Sequence, residues 1–123
     1  GVREHIQTAV SLLGKKPQPD YRNAIKEAIS SVESITKIIT GSNAKGLSGA
    51  LKELSKQTSI HGALQSGFIS LYGYSSNENG IRHSILEQPD IGFAEAKYMI
   101  VSCSAFVNYL IEKADQTGLL SNE

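Results

Sequence analysis

The chain has 123 residues, 40% of them hydrophobic and 20% charged, which is enough to bury a core within one globular domain. Its 12 basic and 12 acidic residues balance, and this argues against a nonspecific nucleic-acid binder that relies on overall positive charge. No apolar run approaches the roughly 18–20 residues of a membrane span, and the single cysteine cannot form an internal disulfide, so we expect a cytoplasmic protein with no membrane partner.

The first two helices are predicted from apolar residues at three- and four-residue spacing. The first runs over Val2–Leu13, and Lys15–Pro19 forms a connector that cannot continue it. Asp20 is a suitable N-cap for the clearest helix of the sequence, which ends at Gly41. The first residue is Gly1 rather than methionine. We therefore expect the chain to be the C-terminal part of a longer one, with the missing N-terminal portion as a partner.

Three further helical patterns follow along the chain. They cover Leu47–Lys56, Ala63–Tyr72 and Gly92–Asp115, and the last is the most apolar. Glycine at position 67 is expected to let a neighbouring backbone come close. Since no segment shows strand alternation, residues 1–123 are predicted to form a single all-α domain, an up-and-down bundle of four to five helices.

The long polar interruption is Tyr72–Ser84, which reads YGYSSNENGIRHS and is rich in residues that favour turns. It holds Arg82 and His83 side by side. Arginine suits phosphate and histidine exchanges protons near neutral pH, so the pair could catalyse metal-independent RNA cleavage. The alternative is structural, because a loop arginine commonly caps a helix or pairs with a carboxylate such as Glu87 or Asp90.

Four other residues are candidate nucleic-acid contacts. Tyr74 could stack on a base and Asn79 could bind beside it, while Arg22 and Lys26 form a four-spaced basic row on the second helix. The alternative for a tyrosine at a helix end is that it seals the edge of the core. Basic rows of this kind are commonly a solvated face, and this one would matter only if it lay beside Arg82.

Metal and thiol chemistry have little support in the sequence. Its three histidines, His5, His61 and His83, are far apart, and the paired-cysteine, HExxH and calcium-loop patterns are absent. We therefore expect no metal and no cofactor. Cys103 lies in an apolar helical pattern, which favours a small core residue over a nucleophile.

Several stretches together resemble a known family. From about Asp20 to Lys113, the runs YRNAIKEAI, GIRH and VSCSAFVNYL are similar to bacterial helical domains related to abortive-infection proteins of the HEPN superfamily. The resemblance implies a helical bundle that is usually dimeric. It also implies a defence or toxin–antitoxin context, with metal-independent ribonuclease activity in many members and Arg82 in the place of the motif arginine.

Two hypotheses of different classes remain open from the sequence. The first is a homodimer, formed through the last helices, that cleaves RNA with Arg82 and His83. In the family motif the histidine follows the arginine after four to six residues, whereas here it follows at once. That spacing and the neutral charge favour the second hypothesis, a noncatalytic module for dimerisation or for sensing a ligand or nucleic acid. Nucleotide binding between helices is a third possibility.

Overall fold

The computed structural model describes residues 1–15, 19–41, 46–73, 91–116 and 118. These residues contain helices and no strand, so the all-α prediction is confirmed for the part of the chain described. The helices are α1 (Val2–Leu13), α2 (Tyr21–Thr40), α3 (Gly46–Gln57), α4 (Gly62–Gly73) and α5 (Phe93–Gln116). Among them, none combines the length and the apolar character that crossing a membrane requires.

Helix α2 begins and ends at the residues that the sequence indicates. The Asp20 carboxylate accepts from the Asn23 backbone N–H at 3.2 Å and from the Asn23 side-chain amide at 2.8 Å. At the other end Gly41 adopts a φ of 61°, and its N–H donates to the Lys37 carbonyl at 2.8 Å. A residue with a Cβ would be strained in this left-handed conformation, which explains why glycine ends the helix.

The contacts of helix α1 with α2 include one buried residue and one polar contact. Ala9 is fully buried, and its small side chain lets the two helices come close. His5 Nδ1 lies 2.6 Å from Glu27 Oε2, and both side chains are about one-third exposed. The Asp20 N–H donates to the Leu12 carbonyl at 2.9 Å, so the chain turns back from α1 directly into the capped start of α2.

The core lies mainly between the two longest helices, α2 and α5. Tyr21 and Phe93 form an edge-to-face pair with ring centroids 6.5 Å apart, which places the first turns of α2 and α5 at the same end of the molecule. The buried apolar residues of these two helices are Ala24, Ile25, Ala28, Ile29, Val32, Ile35 and Ile39 on α2, and Ala96, Met99, Ile100, Cys103, Val107, Leu110 and Ala114 on α5.

Helices α3 and α4 cover the core from one side. On the inner face of α3, the side chains of Leu51 and Leu54 are completely buried. Helix α4 is attached by fewer side chains, chiefly Phe68 and Tyr72, which are both buried. The Phe68 ring stacks on that of Phe106, and the Tyr72 hydroxyl lies 3.3 Å from Glu33 Oε2, to which it donates. Most of the remaining α4 surface is exposed.

Some details differ from the sequence-based expectations. Helix α3 runs over Gly46–Gln57 and so extends one residue beyond the predicted Leu47–Lys56 at each end. Phe93 and Ile38 belong to the predicted apolar faces, but they are 52% and 48% exposed because each lies at the edge of its helix's buried stripe. Gly67 does not receive a neighbouring backbone from within the described chain, because nothing lies within 4 Å of the position of an added Cβ.

Candidate functional site

The predicted catalytic pair lies outside the described residues. Arg82 and His83 fall in the segment 74–90, together with Tyr74 and Asn79. The structure therefore does not test the assignment of Arg82 and His83 as catalytic residues. Tyr72, at the start of the same polar stretch, is described and is 95% buried, in agreement with a tyrosine that seals the core edge.

The basic row on α2 lies at the end of the molecule where this segment rejoins the fold. Lys26 is exposed and Arg22 is half-buried, both within the first two turns of α2. The Tyr21–Phe93 contact brings those turns next to the start of α5, close after the polar segment. The end of α4 also lies here, because Leu71 shares a cleft with Glu95 and Tyr98. The basic row therefore lies near Ile91, the first described residue after segment 74–90, and its position relative to Arg82 lies outside the described residues.

The helix starts at this end already carry carboxylate partners. Asp20 caps α2, and the hydrogen bonds from Asn23 together hold the pKa of its carboxyl below the usual range, the side-chain amide contributing most. On α5 the Glu95 carboxylate accepts from the Gly92 N–H at 2.9 Å. Because these acids occupy free N–H groups and offset the positive helix ends, the two helix starts alone are poor phosphate sites.

One concavity of the described surface is an apolar groove between α4 and α5, which we call the α4–α5 groove. Its volume is about 420 Å³. Phe68, Phe106 and Tyr109 form a stack beneath it, with centroids 3.7 Å apart for the first pair and 5.9 Å for the second. The lining residues are Ala63, Leu64, Gly67, Phe68, Leu71, Ser102, Ala105, Phe106 and Tyr109. Apart from the hydroxyls of Ser102 and Tyr109, these side chains are apolar.

Gly67 widens the α4–α5 groove. It lies in the middle of α4, where glycine is less favourable than alanine by roughly 0.5–1 kcal/mol. A Cβ at this position would meet nothing within 4 Å, so no contact within the described chain requires a glycine. The absence of a side chain at Gly67 leaves open space in the groove, which a side chain of another molecule could fill.

The outer surface of α5 beside the groove is apolar and free of charge. Tyr98 is 60% exposed and Val101 is 58% exposed, and Leu64 on α4 is 55% exposed. From Tyr98 to Leu110 the sequence of α5 has no charged residue, and α4 has none at all. Large exposed apolar side chains on two neighbouring helices are typical of a surface that contacts another molecule.

Other reactive groups of the described chain lie elsewhere or are buried. Cys103 is fully buried, and this burial raises the pKa of its thiol to about 12, which makes it a core residue and not a nucleophile. The described residues contain no cluster of three or more histidine, cysteine, aspartate or glutamate side chains that could hold a metal ion.

Comparison with known proteins identifies no relative. No protein-family model, no curated protein and no solved structure matches this chain. The resemblance to HEPN domains therefore stays a prediction. Sequence reasoning placed the site in the polar segment and missed the α4–α5 groove. The absence of charge in α4 and in residues 98–110 was the signal that could have found it.

Proposed function

We propose that this chain is a helical interaction module that self-associates through the α4–α5 groove and the exposed face of α5. The observation that carries the proposal is the uncharged apolar surface formed by two neighbouring helices, with open space above Gly67. Burial of such a surface releases water from apolar atoms at a gain of roughly 25 cal/mol per Å².

The absence of charge favours a second copy as the partner. In a two-fold symmetric interface, each residue near the axis lies close to its own counterpart. A charged residue there would meet a like charge, whereas the uncharged stretch from Tyr98 to Leu110 avoids that repulsion. The charged residues of α5 lie toward its two ends, with Glu95 and Lys97 at one end and Glu112, Lys113 and Asp115 at the other.

A charge placed in this surface tests the proposal. Ala105 is exposed and lines the α4–α5 groove, so Ala105→Glu should fold normally and lose self-association, because the carboxylate would have to leave water. Sedimentation equilibrium at micromolar concentrations measures the effect, with Gln7→Glu on the exposed face of α1 as the matched control. Association that is unchanged by Ala105→Glu would rule out this surface as the interface.

RNA cleavage by Arg82 and His83 is the second candidate function. It is supported by the position of Arg22 and Lys26, because α2 starts beside the start of α5 and hence near the point where segment 74–90 rejoins the fold. In this account the arginine stabilises charge on the phosphorane while the histidine transfers a proton. The cellular context would be the bacterial defence or toxin–antitoxin role that the HEPN resemblance implies.

The cleavage candidate has its own test. Purified protein should cut RNA in the presence of EDTA, and Arg82→Ala or His83→Ala should abolish the cleavage while the helix content by circular dichroism stays unchanged. Activity that survives both substitutions would exclude the pair as the catalytic residues. Replacement of both Arg22 and Lys26 by alanine should weaken RNA binding and reduce its salt dependence if the basic row contacts phosphate.

A further inference from the structure

Tyr98 is the largest side chain of the uncharged stretch that projects from the molecule. It is 60% exposed, although it belongs to a helix whose neighbouring residue Met99 is fully buried. A tyrosine brings a large apolar ring and a hydroxyl at small cost in conformational entropy, which makes it a common anchor of protein interfaces. Within the described chain no ring stacks on it and no hydrogen bond involves its hydroxyl.

We propose that Tyr98 of each copy inserts into the α4–α5 groove of the other copy, with the two α5 helices antiparallel across a two-fold axis between Val101 and Ser102. This inference rests on the proposed self-association and names its anchor. The receiving site consists of Ala105, Gly67 and the aromatic rings beneath them. The proposed occupant of this site is the phenol ring of Tyr98 from the other copy.

The register follows from helix geometry. Tyr98 and Ala105 are seven residues apart, so they lie on the same side of α5, about 10.5 Å from each other along its axis. A two-fold axis halfway between them falls at Val101 and Ser102. It places Tyr98 of one copy at the height of the partner's Ala105, and the reverse holds at the other end.

Large and small residues match in this register. The bulky Tyr98 meets Ala105, a small residue at the edge of the groove, and the missing side chain of Gly67 leaves room behind it. If the two α5 helices were parallel instead, Tyr98 of one copy would lie against Tyr98 of the other, and both grooves would stay empty.

Three substitutions test the anchor through the dimer dissociation constant, measured by sedimentation equilibrium. Tyr98→Ala should raise the constant about 30-fold or more, the size of effect that buried aromatic anchors show. Tyr98→Phe keeps the ring and should raise it less than about tenfold. Gly67→Leu places a large apolar side chain at the groove, where an added Cβ meets nothing within 4 Å, and should raise the constant at least about tenfold. Circular dichroism verifies that each variant is folded.

Cysteine cross-linking tests the antiparallel register directly. On oxidation at a protein concentration above the dissociation constant of the Tyr98-substituted chain, Tyr98→Cys combined with Ala105→Cys should give a covalent dimer, because position 98 faces position 105 of the other copy. A disulfide requires Cα atoms about 4.4–6.8 Å apart, so the two positions of one chain cannot bridge each other. Tyr98→Cys alone should not cross-link in the same time, since its two copies would be offset by about 10.5 Å along the helix axis, more than a disulfide spans. The native Cys103 is fully buried and is not expected to interfere.

The outcomes separate this inference from the proposed function. If the unaltered chain stays monomeric at 100 µM, self-association itself is wrong and the groove belongs to a different occupant, such as an apolar segment of another protein. If the chain dimerises but Tyr98→Ala and Gly67→Leu have no effect, the dimer stands and the Tyr98 anchor is overturned. Rapid cross-linking of Tyr98→Cys alone would instead indicate parallel helices and overturn the register.

Discussion

At the scale of single residues, polar side chains of the described chain are nearly all explained by a hydrogen bond or by exposure. Asp20 caps α2, and buried Thr36 donates its hydroxyl to the Val32 carbonyl at 3.0 Å. Thr58, at the end of α3, is the exception in the described chain, because its buried Oγ1 has no hydrogen-bond partner. These residues lead to two predictions about stability.

The Asp20 cap is expected to contribute in a pH-dependent manner. Asp20→Ala should lower the free energy of unfolding by about 1 kcal/mol at pH 7 through loss of the cap. The pKa of Asp20 is lower in the folded chain, so its stabilisation is present above the unfolded pKa near 4 and is lost as the pH falls through the folded pKa.

Asp20→Asn is the matched control for the cap, because asparagine also caps helices but does not ionise. Chemical denaturation at several pH values should show that Asp20→Asn is close to the unaltered chain in acid and that Asp20→Ala is weaker at pH 7. An equal loss for both variants at pH 7 would mean that the cap hydrogen bond is not the source of the stability.

Thr58→Val should stabilise the chain by about 1 kcal/mol, because a buried hydroxyl without a partner is replaced by a methyl group of similar shape. Thr36→Val is the matched control, since that hydroxyl is fully buried and has acceptors. Thermal unfolding should show a rise in Tm only for Thr58→Val. A fall in Tm of the same size for both variants would show that Thr58 has a partner in solution.

At the scale of helices, the sequence predicts the elements well because each element depends on local chemistry. Apolar spacing locates α1 and α2, and the cap residues Asp20 and Gly41 give the ends of α2. Exposure is harder to predict, since it depends on which helices become neighbours. Phe93 has the spacing of a core residue, yet it lies at the rim and contacts Tyr21 and Lys97.

The groove could not be predicted in the same way. Helix α4 reads as apolar on nearly every side, so its sequence does not reveal which side the rest of the chain leaves uncovered. Only the packing shows that Phe68 is inside while Leu64 and Gly67 are exposed. Segment 74–90 contains the residue types that commonly carry chemistry, and for that reason the sequence places the candidate site there. The roles assigned to its residues remain predictions.

Helix α4 provides a test of the role of Gly67. Gly67→Ala should raise the free energy of unfolding by about 0.5–1 kcal/mol, because the helix gains propensity and the new methyl group meets no atom of the described chain. The measurement belongs in the Ala105→Glu background, so that association does not contribute. Gly62→Ala, at the first residue of α4, is the control and should have a smaller effect. A destabilised Gly67→Ala would show that the position is filled.

At the scale of the whole molecule, the described chain has a buried core between α2 and α5 and an exposed apolar surface at α4 and α5. The charges are spread over the other helices, while α4 and the middle of α5 lack them. A second copy would bury the exposed Tyr98, Val101 and Leu64 and complete this surface.

The most direct test of the account is the mass of the unaltered chain in solution. Sedimentation equilibrium between 1 and 100 µM should show a transition from the 13.2 kDa monomer to a species of twice that mass. Its dissociation constant should increase strongly with Ala105→Glu and stay the same with Gln7→Glu. A single 13.2 kDa species over the whole concentration range would contradict the account.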